Sequence, residues 1–265
     1  MAVPGRPVPE GAPAGLAATE LFAVDAYLRD FDATVVEVDR AQRRVLLDRT
    51  AYFPGGGGQP HDRGSLEVSG STGSETLPVR RAARDAGRIW HWLDVEEEAL
   101  PGVGTPVLGR LDWERRHLTM RTHTALHILC GVMWADHAVP VTGGNMEPGK
   151  GRLDFPLPGM SAEHGRRLEQ RINEEIAAAH EIVVAFVGRE VADADAALIR
   201  TAAHLIPREI DPLRVIDIVG LDKQADGGTH VLSTAEVGGV RVTGTESKGR
   251  DNKRVRLEIV THPEG

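Results

Sequence analysis

From His117 the chain reads HLTMRTHTALHILC, fourteen residues without a glycine or proline. Within and just beyond this run Ala125, Leu129, Val132 and Met133 recur at helical spacing, which predicts an amphipathic α-helix. That helix separates two textures. Before it, Ala33–Val38, Arg44–Asp48, Ser65–Val68, Leu77–Arg81 and Gly87–Leu93 have strand length and are divided by Gly-rich or acidic breaks. They predict a small β-barrel or folded sheet. After it comes a Gly/Pro-rich loop over Val139–Lys150. Strands are then expected at Gly151–Leu157, Ile182–Val187 and Leu213–Val219, with two more within Gly239–Val260. Helices are expected at Ser161–His180, with Ser161 as N-cap and Leu168, Ile172 and Ile176 as its apolar stripe, and at Ala192–Ala203. The fold class is therefore α+β: an N-terminal small β-barrel-like domain, then an α+β domain with helices packed on a mostly antiparallel sheet. The expected divisions are a flexible Pro/Ala/Gly-rich tail over residues 1–20, a β-rich domain over 21–115 and the α+β domain over 116–265.

Composition narrows the chemistry. Cys130 is the only cysteine, so an intramolecular disulfide and cysteine-rich zinc motifs are excluded, and any transition-metal site must use histidine and carboxylate. A net charge of −8 argues against coating nucleic acid by bulk electrostatics. One local exception runs from Arg241 to Arg256, a stretch of net charge +4. No apolar run approaches the ~18 residues needed to span a bilayer. The start, MAVPGRPVPEGAPAG, has no apolar signal core, so a cytoplasmic location is expected.

His123 and His127 stand four apart on the predicted helix, so both imidazoles project from one face, with Cβ atoms about 6 Å apart. Two such nitrogens can share one Zn²⁺. The intervening Thr124, Ala125 and Leu126 supply no general base of the metalloprotease H-E-x-x-H kind. Far downstream, Asp226-Gly227-Gly228-Thr229-His230 can bring a carboxylate and an imidazole together through a tight Gly-Gly turn. Alone, each pattern also reads as structural: a chance helical pair, or a β-turn with an exposed Asp and a core His. Together they predict His123, His127 and His230 around one ion, with Asp226 as a weak or outer ligand and an open position suited to catalysis. Cys130 reads better as a buried small hydrophobe than as a ligand. The Gly55–Gly58 run lacks the Gly-Lys-Ser/Thr of a Walker A loop. It is either a flexible turn or a close backbone approach to the substrate end or to the α+β domain, with Gln59 offering its amide; His61 and Asp62 read as turn residues.

Four motifs in this order resemble the free-standing alanyl-tRNA editing proteins of the AlaX type, relatives of the editing domain of alanyl-tRNA synthetase. They are AYFPGGGGQPHDRG (Ala51–Gly64), RTHTALHILCG (Arg121–Gly131), DGGTH (Asp226–His230) and SKGRDNKRVRLEI (Ser247–Ile259). The resemblance implies a trans-editing hydrolase that deacylates tRNA(Ala) mischarged with serine or glycine. It implies one Zn²⁺ held by His123, His127, His230 and Asp226, with Asp226 standing where the family usually has cysteine. That replacement opens the site to another divalent metal. The resemblance further implies Thr142 as the partner of a substrate hydroxyl and Lys248, Arg250, Lys253 and Arg254 as tRNA contacts. Two rivals remain open from sequence: a non-catalytic RNA-binding module stapled by its metal, and a metal-dependent hydrolase of small esters.

Overall fold

The computed structural model describes residues 7–70, 73–157, 162–195, 198, 207–247 and 252–260. The chain forms two compact units, one mainly Pro13–Gly56 with Pro60–Arg116, the other mainly Gly57–Gln59 with His117–Gly265.

The first unit opens with short helices α1 (Ala14–Thr19) and α2 (Leu21–Val24). The stretch around them is not loose. Leu21 N–H donates to the Thr50 carbonyl (2.9 Å) and Thr50 N–H to the Thr19 carbonyl (2.8 Å). Six antiparallel strands follow: β1 (Asp30–Asp39), β2 (Arg44–Leu47), β3 (Gly64–Gly70), β4 (Gly73–Asp85), β5 (Arg88–Leu93) and β6 (Pro106–Leu111). They close into a barrel in the order β1-β2-β5-β4-β3-β6. Closure removes every sheet edge, and it depends on β6, which the strand reading did not include. Alternating inward residues fill the barrel, among them Val35, Val45, Leu66, Leu77, Val79, Leu93 and Val107.

His91 on β5 is fully buried in that interior. Its Nε2 lies 2.9 Å from Thr50 Oγ1 and its Nδ1 3.4 Å from the Val45 carbonyl. Burial disfavours the imidazolium and pushes its pKa down to about 4. Below pH ~6.5 the unfolded chain therefore binds a proton that the folded barrel refuses, so stability falls with pH down to the folded value. By pH 4.5 the loss traceable to His91 is about 2–3 kcal/mol. Urea unfolding followed through Trp90 and Trp92 at pH 7 and pH 4.5 checks this, because His91→Gln should remove that share of the acid sensitivity. An unchanged pH dependence in the variant would refute it.

The second unit is built around α3 (Trp113–His137), which begins four residues before the expected helix. Asp112 accepts the Arg115 N–H (3.1 Å) and so caps its start. Strands β7 (Gly143–Glu147), β8 (Lys150–Phe155), β12 (Val240–Ser247) and β13 (Lys253–Ile259) form one sheet in the order β12-β13-β8-β7. Strands β9 (Ile182–Val187), β10 (Leu213–Ile218) and β11 (Asp222–Ala225) form another, with β10 central. β7 lies where a loop was expected. It is an edge strand with only Met146 buried, so it carries no apolar alternation.

Helix α4 (Ala162–Ala177) buries the predicted stripe Leu168, Ile172 and Ile176, and it also covers the exposed edge of β12. Asn173 brackets Val240, its amide nitrogen on the carbonyl (2.8 Å) and its oxygen on the N–H (3.0 Å), and Glu169 accepts the Val242 N–H (2.7 Å). Edge groups that would otherwise invite pairing are thus satisfied by the helix. α5 spans Arg189–Ala194 and ends at Asp195, short of the expected Ala203; residues 196, 197 and 199–206, and the expected cap Ser161, lie outside the described residues. Among the described residues no helix is long and apolar enough to cross a membrane.

Candidate metal centre

Three segments of the second unit meet at α3: α3 itself with His123, Thr124 and His127, the strand-turn of β11 through His230, and the glycine loop ending in Gln59. The donor atoms of His123, His127, Asp226 and His230 lie within 4.8 Å of one another; the three histidines are buried and Asp226 is partly exposed. The ring centroids are 5.0 Å apart for His123–His127, 4.3 Å for His123–His230 and 4.6 Å for His127–His230. Asp226 Oδ2 is 3.1 Å from His230 Nε2 and Oδ1 is 3.7 Å from His123 Nε2. These separations straddle the edge of about 3.3 Å of a tetrahedron with bonds of ~2.0–2.1 Å. Asp226 stands level with the imidazoles and not outside them. Cys130 lines the same cavity but is not one of the four.

The glycine loop follows a path open mainly to glycine. Gly55, Gly56, Gly57 and Gly58 take φ of +83°, +140°, +58° and +89°, conformations that residues with a Cβ rarely adopt. This path delivers Gln59 into the buried site. Its Oε1 accepts the Thr229 N–H (2.9 Å) and faces His123 Nδ1 (2.9 Å), while its Nε2 donates to Thr229 Oγ1 (2.9 Å). Because a backbone N–H only donates, the Gln59 atom there is oxygen. His123 Nδ1 therefore carries the proton, and Nε2 keeps the lone pair that a metal needs. Gln59 is buried and does not line the cavity; its amide is held between Thr229 and His123.

Electrostatics agree with a ligand set. Burial drives His123 well below the ordinary imidazole range and His230 to about 4, in both cases against the attraction of Asp226. Both are neutral at pH 7, the form that coordinates. Burial alone would raise Asp226, but the surrounding histidines outweigh it and hold the carboxylate well below its usual range. For His127 burial lowers the pKa, and Asp222 and Asp226 together overcome it and raise the group. Arg214 braces the turn from β10, its Nη1 donating to the carbonyls of Asp226 (2.9 Å) and Gly228 (2.8 Å). Neutral His123 and His230, an ionised carboxylate and a turn held from behind fit one borderline divalent cation such as Zn²⁺.

The cluster opens on one side to a cavity of about 630 Å³, within the range of small-ligand sites. Leu126, Val141, Met146, Leu153, Ile210 and Leu213 give it apolar walls; Thr142, Asn145 and Gln224 add polar groups. Thr142 donates its hydroxyl proton to the Asp154 carbonyl (3.1 Å). The basic hairpin is a different matter. Lys253 is buried with Nζ on Ser247 Oγ (2.8 Å), and Arg254 is buried in a two-pronged pair with Asp154 (2.7 and 2.8 Å). Lys248 and Arg250 lie outside the described residues. Sequence reasoning missed Asp222, Gln224, Thr124 and Thr229. The one available signal was the alternation Asp222, Gln224, Asp226, which puts three polar side chains on one face of a strand.

Residues 213–256 match the family model of the threonyl and alanyl tRNA synthetase second additional domain, a span that includes Asp222, Asp226 and His230. Over 248 residues the chain is 34% identical to the alanyl-tRNA editing protein AlaX-M of Methanosarcina mazei, covering 92% of this chain and 98% of that protein. The AlaX-M protein of Saccharolobus solfataricus is 34% identical over 243 residues, 91% and 98% of the two chains. The alanine–tRNA ligase of Hyperthermus butylicus is 34% identical over 267 residues, 98% of this chain but 27% of the ligase.

Proposed function

Because the chain belongs to the AlaX-M family of alanyl-tRNA editing proteins, we propose that it hydrolyses the ester of mischarged tRNA(Ala) in trans at its histidine–aspartate site. The observation that carries this reading is the four-residue cluster opening onto a cavity of small-ligand size. His123, His127, His230 and Asp226 would hold one Zn²⁺. When bound, such an ion supplies Lewis acidity toward the ester carbonyl and lowers the pKa of a water. The chain's own residues do the rest. The apolar walls exclude bulk water around the aminoacyl end. Arg214 on the cavity wall stays charged at neutral pH although burial lowers it to about 10, which favours a phosphate-bearing ligand. Lys248 and Arg250 add phosphate attraction, whereas Lys253 and Arg254 are spent on shaping the hairpin.

A synthetase pocket shaped for alanine discriminates weakly against glycine and against an added hydroxyl, so serine and glycine are the errors that such a hydrolase meets. With its own proton on Asp154, Thr142 Oγ1 is left to accept from a serine hydroxyl; alanine has no such proton. Serine-charged and alanine-charged tRNA(Ala) incubated with the protein test the reading. The serine ester should be cleaved faster by roughly 10²-fold or more, a chelator should abolish cleavage, and Zn²⁺ should restore it. Equal survival of both esters, indifferent to chelator, would sink it.

A further inference from the structure

The alternation along β11 has a consequence for the metal site. Asp222 and Gln224 are buried and Lys223 between them is exposed, so one face of the strand turns toward α3. Continued two residues further, that face delivers Asp226 to the cluster. Asp222 starts the same face about 13 Å earlier at strand rise, and it is not among the four clustered residues. Its Oδ2 instead lies 3.2 Å from His127 Nδ1. Gln224 Nε2 donates to that same oxygen (2.6 Å), so the oxygen facing His127 is an acceptor.

We infer that Asp222 is a positioning residue of the site, taking the Nδ1 proton of His127 so that Nε2 is the nitrogen offered to the ion. The inference rests on the metal reading above and deepens it. It also completes a pattern. His123 Nδ1 is held by Gln59 and His230 Nδ1 faces Thr124 Oγ1 at 3.2 Å; Asp222 stands at the corresponding nitrogen of His127, a buried atom that makes no aligned hydrogen bond in this structure. Asp222 differs from the other two in carrying a carboxylate. A carboxylate behind a ligating imidazole fixes the tautomer and raises the ring's basicity, which makes His127 the strongest nitrogen donor of the three.

The test measures Zn²⁺ affinity of the full chain by competition with a chromophoric chelator, with no tRNA present. Asp222→Asn should weaken binding about 10–100-fold, and the Co²⁺-loaded variant should show a shifted visible absorption. The metal-free variant should unfold at nearly the wild-type urea concentration. A merely structural role predicts the reverse: lower stability of the metal-free protein and unchanged affinity. Asp217→Asn on β10, whose carboxylate faces Lys223 across the strand pair, should leave affinity at the wild-type value. Wild type and Asp222→Asn binding Zn²⁺ equally would overturn this inference alone; a wild type that binds no Zn²⁺ would overturn the metal reading with it. Should Asp222→Asn not fold, nitrogen–proton correlation spectra of the Zn²⁺-loaded wild type decide the matter. They should show His127 protonated at Nδ1, and protonation at Nε2 would refute the assignment.

Discussion

Asp62→Ala is expected to destabilise the barrel unit by about 3–5 kcal/mol, the range for removing one partner of a buried ion pair. Arg116 is fully buried. Its Nε contacts both Asp62 oxygens (3.0 and 2.9 Å), its Nη2 also binds Asp62, and Nη1 and Nη2 donate to the carbonyls of Ala26 (3.0 Å) and Ala51 (2.6 Å). Asp62 in turn accepts the Phe53 N–H (2.7 Å). Without the carboxylate a guanidinium stays in the interior with only neutral acceptors, and Phe53 loses its partner. The cost comes from that stranded charge, so a paired replacement behaves differently. Asp62→Leu combined with Arg116→Met should recover most of the loss, since buried ion pairs exchange for apolar pairs at little net cost. Urea unfolding of the three proteins measures both effects. A single-variant loss below about 1 kcal/mol would show that the pair is hydrated and the argument wrong.

The same residue shows how far the sequence could be read. Asp62 sits in PHDRG beside the glycine run and looks like a turn carboxylate; only the fold reveals that Arg116, 54 positions on, needs it. The helix carrying His123 and His127 was legible because both its apolar repeat and its ligand spacing are local. The barrel strands were legible for the same reason, apart from β6. β11 was not, because its inward residues are Asp222 and Gln224. A polar-in strand serving a site carries none of the apolar alternation by which strands are recognised. Charge counting failed in another way. Lys253 and Arg254 contribute to the basic stretch, yet Asp154 on β8 neutralises Arg254, and cross-strand pairing is invisible in a linear sum.

Gly228→Ala is expected to lower both Zn²⁺ affinity and hydrolysis by 10²-fold or more, although it adds one methyl group. From sequence, the Gly227–Gly228 pair is a backbone device for a tight turn. In the fold neither residue has φ in the left-handed region, so conformational freedom is not what the pair supplies. Gly228 supplies space. A Cβ there would lie 2.4 Å from His123 Cε1 and 2.5 Å from both His123 Nδ1 and Gln59 Oε1. It would strike the ligand ring and the oxygen that fixes that ring's tautomer. Either the imidazole or the turn must move by roughly 1 Å, a displacement that costs about 10² in a preorganised site. Gly227 gives the internal comparison, since a Cβ there meets nothing within 4 Å, and Gly227→Ala should cost no more than a few-fold. Chelator competition and deacylation rates on the two variants separate the explanations. Equal losses in both would mean that turn flexibility, and not the close approach of Gly228 to His123, is what the site requires.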